Sequence, residues 1–249
     1  MLLAADIGNT SVSFGIFSGK SLLKKWKMRT DSLNYLGDLQ KKLRRRSRRN
    51  IDGIIVSSVT PKALLKLDKA LCGMFSLKPI VVGKGVTAPI KNLYKRPEKV
   101  GQDRLVNAVA AWHIYKKGAV IVDFGTAVTF DLVTDRGEYA GGIIVPGMEI
   151  SLDNLSRRAA LLPKISLRPP EQLLGRDTIT SMRSGIFYGY GALCDGVVGK
   201  LKSKYGKNLN VIATGGHAKM ISRFAESIDI VDEDLTLKGL EIIYRECVK

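Results

Sequence analysis

The chain has 249 residues, 45% hydrophobic and 25% charged, with 40 Lys and Arg against 23 Asp and Glu for a formal net charge of +17. Such a length suits one large domain or, as the better expectation, two of ordinary size, and no run of 18 or more uncharged apolar residues is present, which argues against a membrane-spanning helix. Cys72, Cys194 and Cys247 are far apart, odd in number and without C-x-x-C spacing, so neither a disulfide framework nor a zinc site is expected. Asp6 breaks the apolar N-terminus and no basic segment precedes it, so no signal peptide is expected and the protein is placed in the cytoplasm.

The charge excess favours anionic partners: nucleotides, phosphates, nucleic acid or membrane headgroups. Part of it is local, since "KKLRRRSRRN" carries seven basic residues between Lys41 and Arg49. The run has no interleaved aromatics for base stacking, which argues for a solvated helix face and against a nucleic-acid surface.

In chain order, residues 2–6 and 11–17 read as two strands around a tight turn, with Val12, Phe14 and Ile16 on one face. Helical spacing follows at Leu33, Leu36, Leu39 and Leu43, then a β-branched strand, "IDGIIVSSV", that ends in small polar residues. Pro61 suits the first turn of a helix, "PKALLKLDKALCGMF", and "KPIVVG" reads as a strand. Strands alternating with helices predict an α/β layer. Residues 86–100 read as a loop that delivers Gly101, Gln102, Asp103 and Arg104 to a helix start.

After Gly118 the opening pattern returns: "AVIVDFGTAVTFDLV" repeats the strand, the Asp-x-Gly turn and the second strand of "MLLAADIGNTSVSFGIF". Two copies half a chain apart predict a duplicated domain with a boundary near residue 113, giving domains 1–112 and 113–249 and a ligand cleft between them. "GGIIVPGMEISLDNLSRRAALL" reads as a glycine turn into a helix, the stretch from Asp177 to Tyr205 as one long helix, and "NVIATGGHAKMI" as a third strand entering a glycine turn.

Glycine lets backbone N–H groups approach a phosphate, and neighbouring Asn or Thr adds hydrogen bonds. Two such turns, Asp6-Ile7-Gly8-Asn9-Thr10 and Asp123-Phe124-Gly125-Thr126, could hold the phosphates of a nucleotide. Their carboxylates suit a hydrated magnesium or another cation, and Thr214-Gly215-Gly216 could receive the nucleoside. Any one of these turns alone would more simply fold a hairpin; three together point to a ligand. Neither a P-loop nor a dinucleotide glycine motif is present. His113 and His217 lack motif partners, and His113 reads as structural.

These segments resemble the type III pantothenate kinases, a branch of the superfamily of acetate and sugar kinases, heat-shock chaperones and actin. The resemblance runs nearly the whole chain: "DIGNTSVSFGIF" and "VDFGTAVTFDLV" are similar to the two phosphate motifs, "NLYKRPEKVGQDRLVNAVAAW" to the substrate segment, and "GGIIVPG", "GRDTITSMRSGIFYGY" and "TGGHAK" to later signatures. Asn92-x-Tyr94-x-x-Pro97 with Gly101-x-Asp103-Arg104 is the part specific to this branch.

The resemblance implies two ribonuclease H-like (actin-like ATPase) domains with the active site in the cleft between them, a homodimer, and ATP-dependent phosphorylation of pantothenate to 4′-phosphopantothenate, the first step of coenzyme A synthesis. It assigns Asp103 as general base, and Tyr94, Gly101, Gln102, Asp103, Arg104 and Thr178 to pantothenate. ATP falls to Asp6, Ile7, Gly8, Asn9, Thr10, Gly125 and Thr126, with Gly215 and Gly216 on the nucleoside side. Asp6 and Asp123 are metal positions, Asp123 matching the ligand of a monovalent cation, K+ or NH4+, which the family needs in addition to Mg2+. Neither the run Lys41–Arg49 nor the net charge belongs to a family motif. The competing reading is a catalytically silent member acting as a regulator and touching nucleic acid through Lys41–Arg49; the intact set Asp6, Asp103, Asp123 and Thr126 argues for the enzyme. A sugar or acetate kinase would not call for Tyr94 and the segment Gly101 to Arg104.

Overall fold

A computed structural model describes residues 1–32, 34–43 and 50–247. The predicted helix position Leu33 and the arginines of the basic run, Arg44 to Arg49, lie outside the described residues. The chain divides into two compact units, Met1–Ile114 with Asp234–Lys249, and Tyr115–Glu233.

Up to residue 115 the elements are β1 (Leu2–Ile7), β2 (Ser11–Ser18), β3 (Ser21–Arg29), α1 (Tyr35–Lys42), β4 (Gly53–Ser58), α2 (Pro61–Phe75), β5 (Ile80–Val81), β6 (Lys91–Asn92) and α3 (Gln102–Tyr115). Then come β7 (Ala119–Phe124), β8 (Ala127–Val133), β9 (Glu138–Pro146), α4 (Met148–Arg158), α5 (Thr178–Tyr205), β10 (Asn210–Thr214), α6 (Ala218–Ile221), β11 (Ile230–Val231) and α7 (Leu235–Cys247).

The first sheet runs in the order β3-β2-β1-β4-β5, and the strands of the second unit run β9-β8-β7-β10-β11. In each, the first three strands are an antiparallel meander and the last two join the first in parallel. The duplication read from two turns is therefore a duplication of whole sheets. Parallel neighbours need a crossover connection, which α2 supplies between β4 and β5.

Period two decides the faces. In β1, Leu3, Ala5 and Ile7 join Val12, Phe14, Ile16, Ile54 and Val56 in one core, closed by Leu39 of α1 and Leu64, Leu67 and Leu71 of α2. Asp6 must then point to the opposite face. In the second unit Val120, Val122 and Phe124 enter a core with Met148, Leu152, Phe187 and Val198, so Asp123 is likewise turned away.

The opposite face of the first sheet is packed by α7, whose Leu235, Leu240 and Ile243 are fully buried. Two glycines permit the approach. A Cβ on Gly239 would meet the Val106 carbonyl oxygen of α3 at 2.3 Å, and one on Gly53 would meet the Tyr244 hydroxyl at 2.1 Å. This returning helix is why one boundary near residue 113 does not describe the chain: it changes unit after Ile114 and again after Glu233.

Two local readings also differ. "GGIIVP" is the second half of β9 rather than a turn, because Gly141 and Gly142 pair with Leu132 and Asp131; the turn is Gly147 alone, at the N-cap of α4. Strand β3 escapes a periodicity reading because Lys24, Lys25 and Lys27 dilute its apolar positions, although Trp26 stacks on Phe14 with ring centroids 5.1 Å apart. Lysines on an edge strand oppose pairing with another chain. The positive charge is also uneven: the first unit carries 25 Lys and Arg against 10 Asp and Glu, the second 15 against 13. Nearly all of the excess belongs to the unit that holds the turn Asp6 to Thr10.

Candidate active site

The first turn is built at the end of β1. The Gly8 N–H donates to Ser11 O at 3.0 Å, closing the hairpin, and Thr30 Oγ1 donates to Gly8 O at 2.8 Å from the end of β3. Tyr35 of α1 donates its hydroxyl to Thr30 O, and Thr60, the N-cap of α2, places its Oγ1 3.4 Å from Asn9 Oδ1. The turn is thus fixed from both flanks while Asn9 and Thr10 remain exposed. Exposed side chains beside a pinned backbone are what a phosphate cradle requires.

Asp6 sits in a row across the sheet, Ser57–Asp6–Ser13–Lys27, set by the ladder registers. Ser57 Oγ donates to Asp6 Oδ1 at 2.6 Å. Burial pushes the Asp6 carboxyl up to about 7 and the charge of Asp103 pushes the same way, while the Ser57 hydrogen bond and the Lys27 ammonium oppose them. Although Asp6 keeps some exposed surface, the protein packed around its carboxylate is dense enough for desolvation to dominate.

The second copy repeats the row as Thr214–Asp123–Thr129–Ile144. Each carboxylate therefore lies between two hydroxyl residues, and only the outer position diverges, lysine in one copy and isoleucine in the other. The second turn is wedged between glycines: the Gly147 N–H donates to Thr126 O at 3.1 Å, and a Cβ on Gly147 would fall 2.1 Å from that oxygen. Gly215, at φ +94°, leaves 2.4 Å between its absent Cβ and Asp123 Oδ1. Gly215 is thus needed to let β10 turn against Asp123, and Gly216 beside it is exposed.

The segment from Asn92 to Arg104, expected to bind substrate, is stitched by Asn92. Its Oδ1 accepts from the Tyr94 N–H at 3.0 Å and its Nδ2 donates to Pro97 O at 3.4 Å, which gives the Asn92-x-Tyr94-x-x-Pro97 spacing a physical reason. Pro97–Lys99 forms a short 3-10 turn, after which α3 begins at Gln102. Asp103 Oδ1 accepts from the Arg104 N–H at 2.9 Å, and it occupies the space a Cβ on Gly101 would take, 2.5 Å away. Gln102 covers Gly83, which is at φ +83°. Arg104 is buried, 7% exposed, rather than the surface arginine of an ordinary helix start. In the second unit Thr178 is the first residue of α5, behind a capping box of Asp177 and Thr180.

The first unit thus brings Asp6 and Asp103 within electrostatic reach of one another, as it does Ser57 and Lys27. Sequence reasoning missed Ser57, Thr30, Thr60 and Lys27; the signal for Ser57 was the small polar ending of β4. His113 Nδ1 lies 3.1 Å from Glu246 Oε1 and His217 Nε2 3.6 Å from Glu149 Oε1, so each has a carboxylate partner within its own unit.

Two copies of a five-stranded α/β unit, each with a carboxylate ending its first strand, define the actin-like ATPase fold. Solved structures agree: component A of the Acidaminococcus fermentans (R)-2-hydroxyglutaryl-CoA dehydratase matches with a TM-score of 0.58 at 13% identity over 100% of this chain and 99% of that one. A Campylobacter jejuni protein described as a Baf family transcriptional activator matches at 0.60 and 20% identity over 98% of both chains. The family model of type III pantothenate kinase matches residues 2–200. A type III pantothenate kinase of Syntrophus aciditrophicus is 43% identical over 251 residues, 98% of this chain and 99% of the relative. The chain belongs to the type III pantothenate kinase family. Its reaction is ATP-dependent phosphorylation of pantothenate, in coenzyme A biosynthesis, with ATP and a divalent metal.

The Asp6 charge supplies a test. A carboxyl raised in the folded state costs nothing below its unfolded value near 3.8 and destabilises increasingly as pH rises to about 7. Asp6→Asn is neutral throughout and still accepts from Ser57. Without divalent ions it is expected to raise Tm by roughly 3 °C at pH 8 and by less at pH 5; equal shifts at both pH values would show that the charge is not responsible.

Proposed function

We propose that Asp103 is the general base of this kinase, and that the observation carrying the assignment is its electrostatic coupling to Asp6 inside one unit. A base must stand near the phosphate site, and the charge of Asp103 reaches the carboxylate that ends the first phosphate turn. An alcohol has a pKa far above 7, so the pantothenate hydroxyl reacts as its proton leaves. Asp103 accepts that proton while the hydroxyl oxygen bonds to the γ-phosphorus and ADP departs. The Arg104 N–H holds one oxygen of Asp103 at 2.9 Å, which fixes the carboxylate for that task.

In this reading Tyr94, Gly101, Gln102, Arg104 and Thr178 bind pantothenate. Asp6, Ile7, Gly8, Asn9, Thr10, Gly125 and Thr126 hold the ATP phosphates, and Gly215 and Gly216 receive the nucleoside. Asp6 fits a divalent cation: a desolvated carboxylate beside a second one is only partly offset by Lys27, and magnesium bound by few carboxylates completes its shell with water and phosphate. When bound, it neutralises charge on the phosphate oxygens. Asp123, turned from its core and closely covered by Gly215, is assigned the monovalent cation, K+ or NH4+.

A homodimer accounts for the apolar surface of the second unit, where Ile144 is 60%, Leu161 93%, Leu173 64% and Leu174 79% exposed. The free thiols Cys72, Cys194 and Cys247 suit a reducing cytoplasm, and among the described residues no helix is long and apolar enough to cross a membrane.

Asp103→Asn is expected to lower kcat roughly 10²–10⁴-fold with an unchanged circular dichroism melt; near-normal turnover would exclude Asp103 as base. Replacing potassium by sodium is expected to suppress ADP release in the presence of ATP, magnesium and pantothenate, and equal rates in the two salts would remove the cation from Asp123. Sedimentation equilibrium is expected to return twice the protomer mass of 27.3 kDa, whereas a monomer at micromolar concentration would leave the apolar surface without this explanation.

A further inference from the structure

We infer that Ser57 is a positioning residue of the phosphate site: its hydroxyl fixes the rotation of the Asp6 carboxylate and so decides which oxygen faces magnesium and ATP. The inference rests on the assignment of Asp6 to that ligand.

Ser57 is fully buried, and its Oγ donates to Asp6 Oδ1 at 2.6 Å. The final torsion of an aspartate is broad, so an unheld carboxylate samples many orientations. Engaging Oδ1 holds the plane of the group and leaves Oδ2 for the ligand. The donor cannot drift, because β1 and β4 are paired from Leu2↔Gly53 to Ile7↔Ser58, with Asp6↔Ser57 inside that ladder.

The neighbouring serine is not equivalent. Ser58 Oγ donates to Thr60 O at 3.2 Å and accepts from the Thr60 N–H at 3.0 Å, shaping the start of α2 instead. The second copy gives an independent indication. There Thr214, 1% exposed, occupies the same register position beside Asp123 on the equivalent strand, so both copies place a buried hydroxyl residue next to the carboxylate. A buried hydroxyl in an apolar strand is costly without a partner. Gly53-Ile54-Ile55-Val56 would continue more cheaply as alanine if Asp6 needed no orientation.

The test uses the full-length kinase. Ser57→Ala is expected to lower kcat about 10-fold and raise the magnesium needed for half-maximal rate, with the pantothenate KM changed less than about twofold, as befits loss of a hydrogen bond behind a metal-facing carboxylate. Binding of Mn2+ with a non-hydrolysable ATP analogue, followed by electron paramagnetic resonance, is expected to weaken by about 10-fold. Ser57→Thr should restore both. Ser57→Val, of the same shape as Thr but without the hydroxyl, should not, and this pair carries the comparison if Ser57→Ala fails to fold.

Asp6→Asn separates the two levels. If it abolishes Mn2+-nucleotide binding while Ser57→Ala and Ser57→Val match the wild type, the hydroxyl is idle and the inference about Ser57 falls alone. Intact Mn2+-nucleotide binding in Asp6→Asn would overturn the assignment of Asp6, and the role of Ser57 with it. A loss in Ser57→Ala that raises the pantothenate KM in proportion and is not restored by threonine would reduce Ser57 to a packing residue.

Discussion

A carboxylate held at a desolvated strand end is the constraint around which the first unit is organised. Asp6 could be made harmless by solvation, by neutralisation or by a cation, and the structure uses none of these fully. It is packed against protein, faces the charge of Asp103, and receives one short hydrogen bond from Ser57 and a partial offset from Lys27. Such an arrangement lowers stability in the free protein and creates a place where positive charge is welcome.

The geometry follows from the sheet. Because side chains alternate along β1, the same strand that inserts Leu3, Ala5 and Ile7 into the core must turn Asp6 to the other face, towards the side where α7 packs. The parallel ladder then fixes Ser57 beside it, and the antiparallel ladder fixes Ser13 and Lys27 on the other side. Duplication has kept the inner three positions of that row chemically similar and let the outer one change from Lys27 to Ile144. The difference agrees with the charge distribution, which concentrates positive charge in the first unit.

The glycines of these turns also serve the packing of the fold. Gly101 makes room for the Asp103 carboxylate, Gly147 for the Thr126 carbonyl, and Gly215 for Asp123. A motif glycine read as ligand-facing can therefore serve first to let a neighbouring carboxylate or carbonyl approach the backbone.

Much of this was legible in the sequence. The repeated Asp-x-Gly turns announced the duplication, Pro61 marked a helix start, and the long helix up to Tyr205 was read close to its observed bounds, because backbone preference and motif spacing are local properties. What sequence could not supply was anything that depends on which strands become neighbours. Strand β3 was hidden by its lysines, and α7 gave no sign that it returns to the first unit. The pairing of Ser57 with Asp6 joins residues 51 positions apart. The local code chose the residues, and the ladder registers, set by burying one face of each strand, chose their partners.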